Sequence, residues 1–199
     1  MPFKMKRKIL LLICLLTGFT SLSHAQKSQE KVSDRSPIKL LLGVALELGG
    51  YNADEIFFTN GDSQPVRTAQ GISVGVGTRM QLPSIKRFAL DATIGFKYVT
   101  TAADNAHIRL TRIPMHLIGH GMISDDWSAG LGMISHQHIR YRSDGISQDL
   151  DFNNTLGVQF QVASKGISLH YTKMNYQDQN NRNYKANAFG LSYYATIPG

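Results

Sequence analysis

Histidines and a few charged side chains are the groups in this 199-residue chain best equipped for chemistry. His116 and His120 share one face of a segment with period-two patterning, as do His136 and His138. Imidazole is a common metal ligand, yet side chains four residues apart on a strand stand about 13 Å apart, too far for one ion to bridge. A turn at Ser124–Asp126 sets His136 opposite Arg112 to Pro114 rather than opposite His116. No acidic residue completes a ligand set at sensible spacing, so neither a metal nor a cofactor is expected. The charges fall into two groups once alternating strand directions are respected. Lys39, Arg79 and Asp91 lie near one end of their strands, and Glu47, Lys97 and Arg109 near the other. On an inward face of low dielectric an unpaired charge is costly. The expected ion pairs are therefore Asp91 with Arg79, and Glu47 with Lys97 or Arg109.

The elements that must position these groups are strands. From Ile38 onward apolar residues alternate with small or polar ones, the pattern of a strand with two unlike faces. Leu40, Leu42, Val44, Leu46 and Leu48 share one face, followed by Ile72, Val74, Val76, Met80 and Leu82, and then by Phe88, Leu90, Ala92, Ile94, Phe96 and Tyr98. Later runs centre on Leu131, Val158, Leu169 and Leu191. The run from Ile108 to Ile123 is irregular, because Ile108 and Leu110 lie on one parity and Ile113, Met115 and Leu117 on the other. A β-bulge near Arg112 would restore the face, and Pro114 sits where a strand tolerates a lost ladder bond. Eight strands result, with no competing helical period.

Composition and charge narrow the class. Hydrophobic residues make up 42% of the chain, and its mean hydropathy of -0.17 excludes a polytopic helical membrane protein without excluding a membrane barrel. Lys4, Lys6, Arg7 and Lys8 precede the apolar stretch from Ile9 to Leu16, and Ser23-His24-Ala25 precedes Gln26. This is the pattern of a secretory signal peptide over 1–25, with 26–37 as a periplasmic N-terminal segment and 38–199 as a barrel. Taking those four basic residues from the net charge of +7 leaves +3, without the clustering that nucleic acid requires. Cys14 is the one cysteine and lies inside the leader.

Which face meets solvent decides between a soluble and a membrane barrel. The non-apolar face carries Gly43, Ser73, Gly75, Gly77, Gly95, Gly130, Gly132, Gly157 and Gly190 among a few charges and glutamines. Glycine weakens a strand unless packing demands it, and the crowded lumen of an eight-stranded barrel supplies that demand. The apolar face then points to lipid. The links alternate between short (Ser124–Asp126, Ser164–Gly166) and long (Gly49 to Thr68, Gln177 to Asn183), the asymmetry of periplasmic turns and outer loops. The first long loop carries Tyr51, Ile56, Phe57 and Phe58 before the hairpin-like Thr59-Asn60-Gly61-Asp62, and these four residues are the candidates for contact with a partner.

With Arg112-Ile113-Pro114-Met115, Ala129-Gly130-Leu131-Gly132 and Phe189-Gly190-Leu191-Ser192-Tyr193-Tyr194, the pattern resembles the small eight-stranded outer-membrane barrels of the OmpA-barrel and OmpX type. That resemblance implies an all-β, eight-stranded, antiparallel up-and-down transmembrane barrel in the outer membrane. It would be monomeric, folded by the barrel-assembly machinery and surrounded by outer-membrane lipids and lipopolysaccharide. Phe152-Asn153-Asn154-Thr155-Leu156-Gly157 and Gly166-Ile167-Ser168-Leu169-His170-Tyr171-Thr172 also resemble the C-terminal third of the lipid A 3-O-deacylase barrels. That likeness implies His170 as general base and Thr172 as nucleophile. Thr172 stands in place of that family's Ser, Lys173 in place of its Asn, and Tyr184 near the position of its later Glu. A base without an orienting acid lacks the partner that stabilises its charged form. The expected role is therefore non-enzymatic, structural or interactive through the loops, with a hydrolase and a gated pore as the competing readings.

Overall fold

In the computed structural model, the described residues are 37–57, 63–81, 84–85, 87–103, 106–144 and 149–197. The expected signal peptide, nearly all of the N-terminal segment, Phe58 and the side chains of Ile56 and Phe57 lie outside what is described. Twelve strands and no helix occur among the described residues. They are β1 (Ile38–Gly49), β2 (Asn52–Phe57), β3 (Ser63–Arg67), β4 (Gly71–Met80), β5 (Phe88–Ala103), β6 (Ala106–Met122), β7 (Trp127–Arg142), β8 (Leu150–Phe152), β9 (Thr155–Ser164), β10 (Ile167–Gln177), β11 (Asn183–Lys185) and β12 (Ala188–Ile197).

Eight of these close a barrel. β1 pairs with β4, β4 with β5, β5 with β6, β6 with β7, β7 with β9, β9 with β10 and β10 with β12, all antiparallel. β12 returns to β1 from Leu40↔Ile197 to Gly49↔Ala188, leaving no free edge. The other four strands belong to the long connections. β2 and β3 form a hairpin of their own, β8 pairs with the end of β7, and β11 pairs with the end of β10.

The barrel's exterior carries an apolar belt. Leu42, Leu46, Val74, Phe96, Leu117, Leu131, Phe160, Leu169 and Leu191 are all exposed. On β1 the row runs from Ile38 to Leu48; at about 3.3 Å per residue and a tilt of about 45° it stands about 23 Å tall, close to the height of about 25 Å of the apolar band of a membrane barrel. Backbone polar groups within that height are satisfied strand to strand, which is what hydrocarbon requires. The wall is that of a transmembrane barrel.

Towards the long-loop end the polarity of the two faces exchanges. On β10, Ile167 and Leu169 face out while Ser168, His170 and Thr172 are buried inside. Two residues later Lys173 and Asn175 face out and Met174 and Tyr176 are buried. The inner residues above the exchange form an apolar core of Ile108, Leu110, Ile134, Ile139, Tyr141, Phe152, Met174 and Tyr176, together with Ala69, Ala186 and Ala188. Fully burying one such Leu or Ile contributes about 1.5–3 kcal/mol, so this cap is a sizeable hydrophobic core in its own right.

Three sequence expectations are corrected at this level. β6 keeps a single parity, with Ile108, Leu110, Arg112, Pro114, Ile118 and His120 all buried and Arg109, Met115 and Leu117 exposed. Ile108 and Leu110 change parity relative to Met115 because the environment changes, not because β6 bulges. The register does shift at this level, but the extra residue is on β7, where Thr111 pairs Arg140 and Ile113 pairs Gln137. His138 adopts φ 49° there, and the buried parity passes from His136 to Ile139. His136 and His138 consequently do not share a face. For the same reason Arg109 is not lumenal, since it points outward opposite Arg142.

Candidate functional site

The groups that could do chemistry are held in tiers inside the wall. In the tier nearer the short turns, β4 and β5 set Arg79 opposite Asp91. The guanidinium donates through Nε at 2.8 Å and Nη2 at 2.7 Å to the two carboxylate oxygens, a bidentate pair. His120 Nε2 lies 3.0 Å from the same Asp91 carboxylate, and Gln161 Nε2 stands 3.2 Å from that ring nitrogen. Lys39 is half-buried directly opposite Arg79.

The second tier is built on Glu47 of β1. Lys97 donates to Glu47 Oε2 and, at 2.8 Å, to the Ala69 carbonyl. His170 Nε2 sits 3.0 Å from Glu47 Oε1. A side chain at position 190 would prevent this contact, because a Cβ there would lie 2.2 Å from His170 Nε2 and 2.7 Å from Glu47 Cγ. Glu47 thus takes Lys97 and His170, whereas Arg109 pairs at 3.6 Å with Asp144 where both are about half exposed. The pairing follows from parity, since of Lys97 and Arg109 Lys97 alone shares the lumenal face with Glu47.

Between this tier and the cap lies Arg112, which is 1% exposed. It donates to the carbonyls of Thr68 and Gln70 and stacks 5.9 Å from the Tyr176 ring centroid. Lys97 and Arg112 together therefore fasten the Thr68–Gln70 turn over the barrel mouth. Thr68 Oγ1 donates in turn to the Lys185 carbonyl at 2.8 Å. Gly71 follows with φ 145°, where a Cβ would come within 2.9 Å of the Tyr98 carbonyl oxygen. Above it the Tyr176 hydroxyl and His136 Nδ1 are 2.6 Å apart, and Phe152 packs against both Tyr176 and Tyr184.

His170 and Thr172 both face inward and are buried, with Thr172 Oγ1 3.5 Å from Gln159 Oε1. His170 does have a carboxylate partner, supplied by β1 rather than by the region of Tyr184, but the pair is enclosed by the wall and not presented to lipid. Of the loop candidates, Tyr51 is exposed, and its backbone N–H is held by Thr68 Oγ1 at 3.1 Å. Ile56 and Phe57 lie on β2. Sequence reasoning missed Arg112, assigned to a bulge, and the roles of His120 and His170 as carboxylate partners. The inward parity shared by His120 with Ile118, and by His170 with Ser168, was the signal available.

Outside the belt, Asp178 organises the last long loop. It accepts from the backbone N–H groups of Asn180 and Arg182 at 2.8 Å and from the Tyr184 hydroxyl at 3.2 Å. Desolvation opposes ionisation, yet these donors hold the carboxyl below its usual range. Desolvation and the neighbouring Asp178 push the Tyr184 hydroxyl up.

No protein-family model matches the sequence, and no curated protein is significantly similar to it. Among solved structures the fold is similar to Neisserial surface protein A (NspA), at 14% identity over 82% of this chain and 98% of that one, with a TM-score of 0.46. It is also similar to Ail, the attachment invasion locus protein of Yersinia pestis solved with the heparin analogue sucrose octasulfate. That likeness has 7% identity over 79% of this chain and 97% of that one, with a TM-score of 0.42. At such identities the likeness is one of backbone architecture, and what this barrel does has to be argued from its own side chains.

Proposed function

We propose that the chain is a monomeric, non-catalytic barrel of a bacterial outer membrane that acts through the closed extension it raises beyond the bilayer, as an envelope element or a surface for interaction. The observation that carries this reading is the exchange of polarity along the strands. Below it the wall suits hydrocarbon, and above it the same wall turns polar side chains outward around an apolar core. The basic, apolar and small-residue pattern of 1–25 supports export, and the even strand number brings both ends of the barrel to the same side. The lumen is filled by paired charges and topped by the apolar cap, which argues against a conducting pore. The hydrolase reading is disfavoured because His170 and Thr172 face the lumen.

Fractionation and lipid A profiling of producing cells test this together. Recovery in the outer-membrane fraction, a heat-dependent shift in electrophoretic mobility and an unchanged lipid A spectrum are expected. A soluble periplasmic pool would contradict the location. Loss of one acyl chain from lipid A, abolished by His170→Ala, would replace the non-catalytic reading with the hydrolase. Reconstituted protein should give no single-channel steps in planar bilayers.

A further inference from the structure

The apolar belt is not uniform. Near its long-loop edge, where β4 begins at Gly71 while β1 continues to Gly49 and β5 to Ala103, the outward side chains of Leu46, Leu48, Ile72, Val74, Phe96 and Tyr98 border a recess of ≈ 510 Å³. All six side chains are exposed, so the recess opens sideways into the belt and not into the lumen. Its upper margin is polar, formed by Gln70 and Thr100. Thr100 pairs with Arg109 on the next strand, so the outward, half-exposed Arg109 stands one strand over from the recess and one step above the belt, and a change of rotamer away from Asp144 would bring its guanidinium towards Thr100. Arg109's recorded ion pair is the 3.6 Å contact with a half-exposed Asp144, and exposed pairs of that kind are worth little. A lipid phosphate can displace it.

We propose that this recess seats one acyl chain of a phosphorylated glycolipid of the facing leaflet, with Arg109 holding the lipid's phosphate. The proposal rests on the outer-membrane reading above and adds a defined position and chemistry to it. Charge and shape make the assignment. The walls are hydrocarbon, which suits an acyl chain, while the nearest polar edge carries Thr100, Gln70 and a cation, which suit an anionic headgroup anchored at the membrane surface. A soluble ligand would have no reason to seek a groove that opens into acyl tails. A protein partner would have to displace lipid from strand faces that are already satisfied.

Native mass spectrometry of the refolded full barrel, released from micelles doped with equal amounts of diphosphorylated lipid A, its dephosphorylated form and phosphatidylglycerol, tests this. Folding of every variant is first checked by the heat-dependent mobility shift, so a failure of the membrane reading appears there, as no folded band, and not as weak lipid binding. The folded wild type should retain one lipid A, and Val74→Trp, which fills the recess, should abolish retention. Val158→Trp, on the belt face of β9, should not affect it, and Ile72→Trp serves should Val74→Trp fail to fold. Arg109→Gln should lower the preference for the diphosphorylated over the dephosphorylated form by about fivefold, the size expected of one basic residue at an anionic membrane surface. Equal retention in Val74→Trp and Val158→Trp would overturn the site. Phosphatidylglycerol retained as well as lipid A, or a preference unchanged in Arg109→Gln, would overturn the glycolipid assignment.

Discussion

At Leu131 and at Arg140 the outward face of β7 meets two different surroundings, and the inward face differs to match. Around Leu131 the wall is apolar outside, while its lumenal neighbours include Gly130, Ser128 and, across the ladder, His120 and Gln161. Around Arg140 the wall is polar outside and encloses Ile139 and Tyr141. One continuous cylinder thus uses opposite arrangements at two heights. Within the belt the interior pairs its charges with one another, Lys97 and Glu47 being almost fully buried, and above it the interior is a hydrophobic core. Folding energy therefore comes from different sources at the two levels.

The comparison can be broken most severely in the lumen. Glu47→Gln leaves Lys97 buried without its anion, and removing one partner of a buried pair costs about 3–5 kcal/mol. Urea unfolding of the barrel in vesicles should register that loss, and Lys97→Met added to Glu47→Gln should recover most of it, because the uncompensated charge is gone. The cap is sensitive to volume instead of charge. Leu110→Ala should cost about 2–5 kcal/mol in the same assay while leaving the Arg79–Asp91 pair intact. On the outer face, Leu131→Arg should cost about 2–4 kcal/mol, the depth-dependent penalty of a lipid-facing cation. Arg140→Leu, above the exchange, should stay within about 0.5 kcal/mol, as surface substitutions do; equal costs at the two positions would erase the distinction drawn between them.

The smallest effect belongs to the Asp178 loop. Its carboxyl titrates lower in the folded loop than in the unfolded chain, so the stabilisation is present above the unfolded value and is lost as pH falls through the folded one. Protection of the Asn180 and Arg182 amides, taken relative to their intrinsic exchange rates, should fall below the usual carboxylate range, and Asp178→Asn should make that protection insensitive to pH over the same window.

Much of the barrel was legible because period-two patterning survives wherever one face meets a uniform environment. Leu40 to Leu48 and Phe88 to Tyr98 were readable for that reason, and parity sufficed to pair Arg79 with Asp91, while for Glu47 it left Lys97 and Arg109 both open. The pattern misled where the environment changed along one strand. Ile108 and Leu110 resembled a lipid-facing row displaced by a bulge, because an apolar residue in a barrel strand was assumed to face out at every height. The real bulge, at His138, has no Gly or Pro to announce it. The carboxylate partners His120 and His170 were hidden by distance in the chain, since His170 and Glu47 lie 123 residues apart and meet only when β12 closes onto β1.

The direct test of the exchange uses the barrel's lack of cysteine, Cys14 being the chain's single one and lying before the barrel. Nitroxide labels on Leu131→Cys and Arg140→Cys, each in a Cys14→Ser background reconstituted in vesicles, report their surroundings through collisions with oxygen and with a water-soluble nickel chelate. The account predicts oxygen-dominated collisions at 131 and chelate-dominated collisions at 140. Matching profiles at both positions, or chelate dominance at 131, would contradict it.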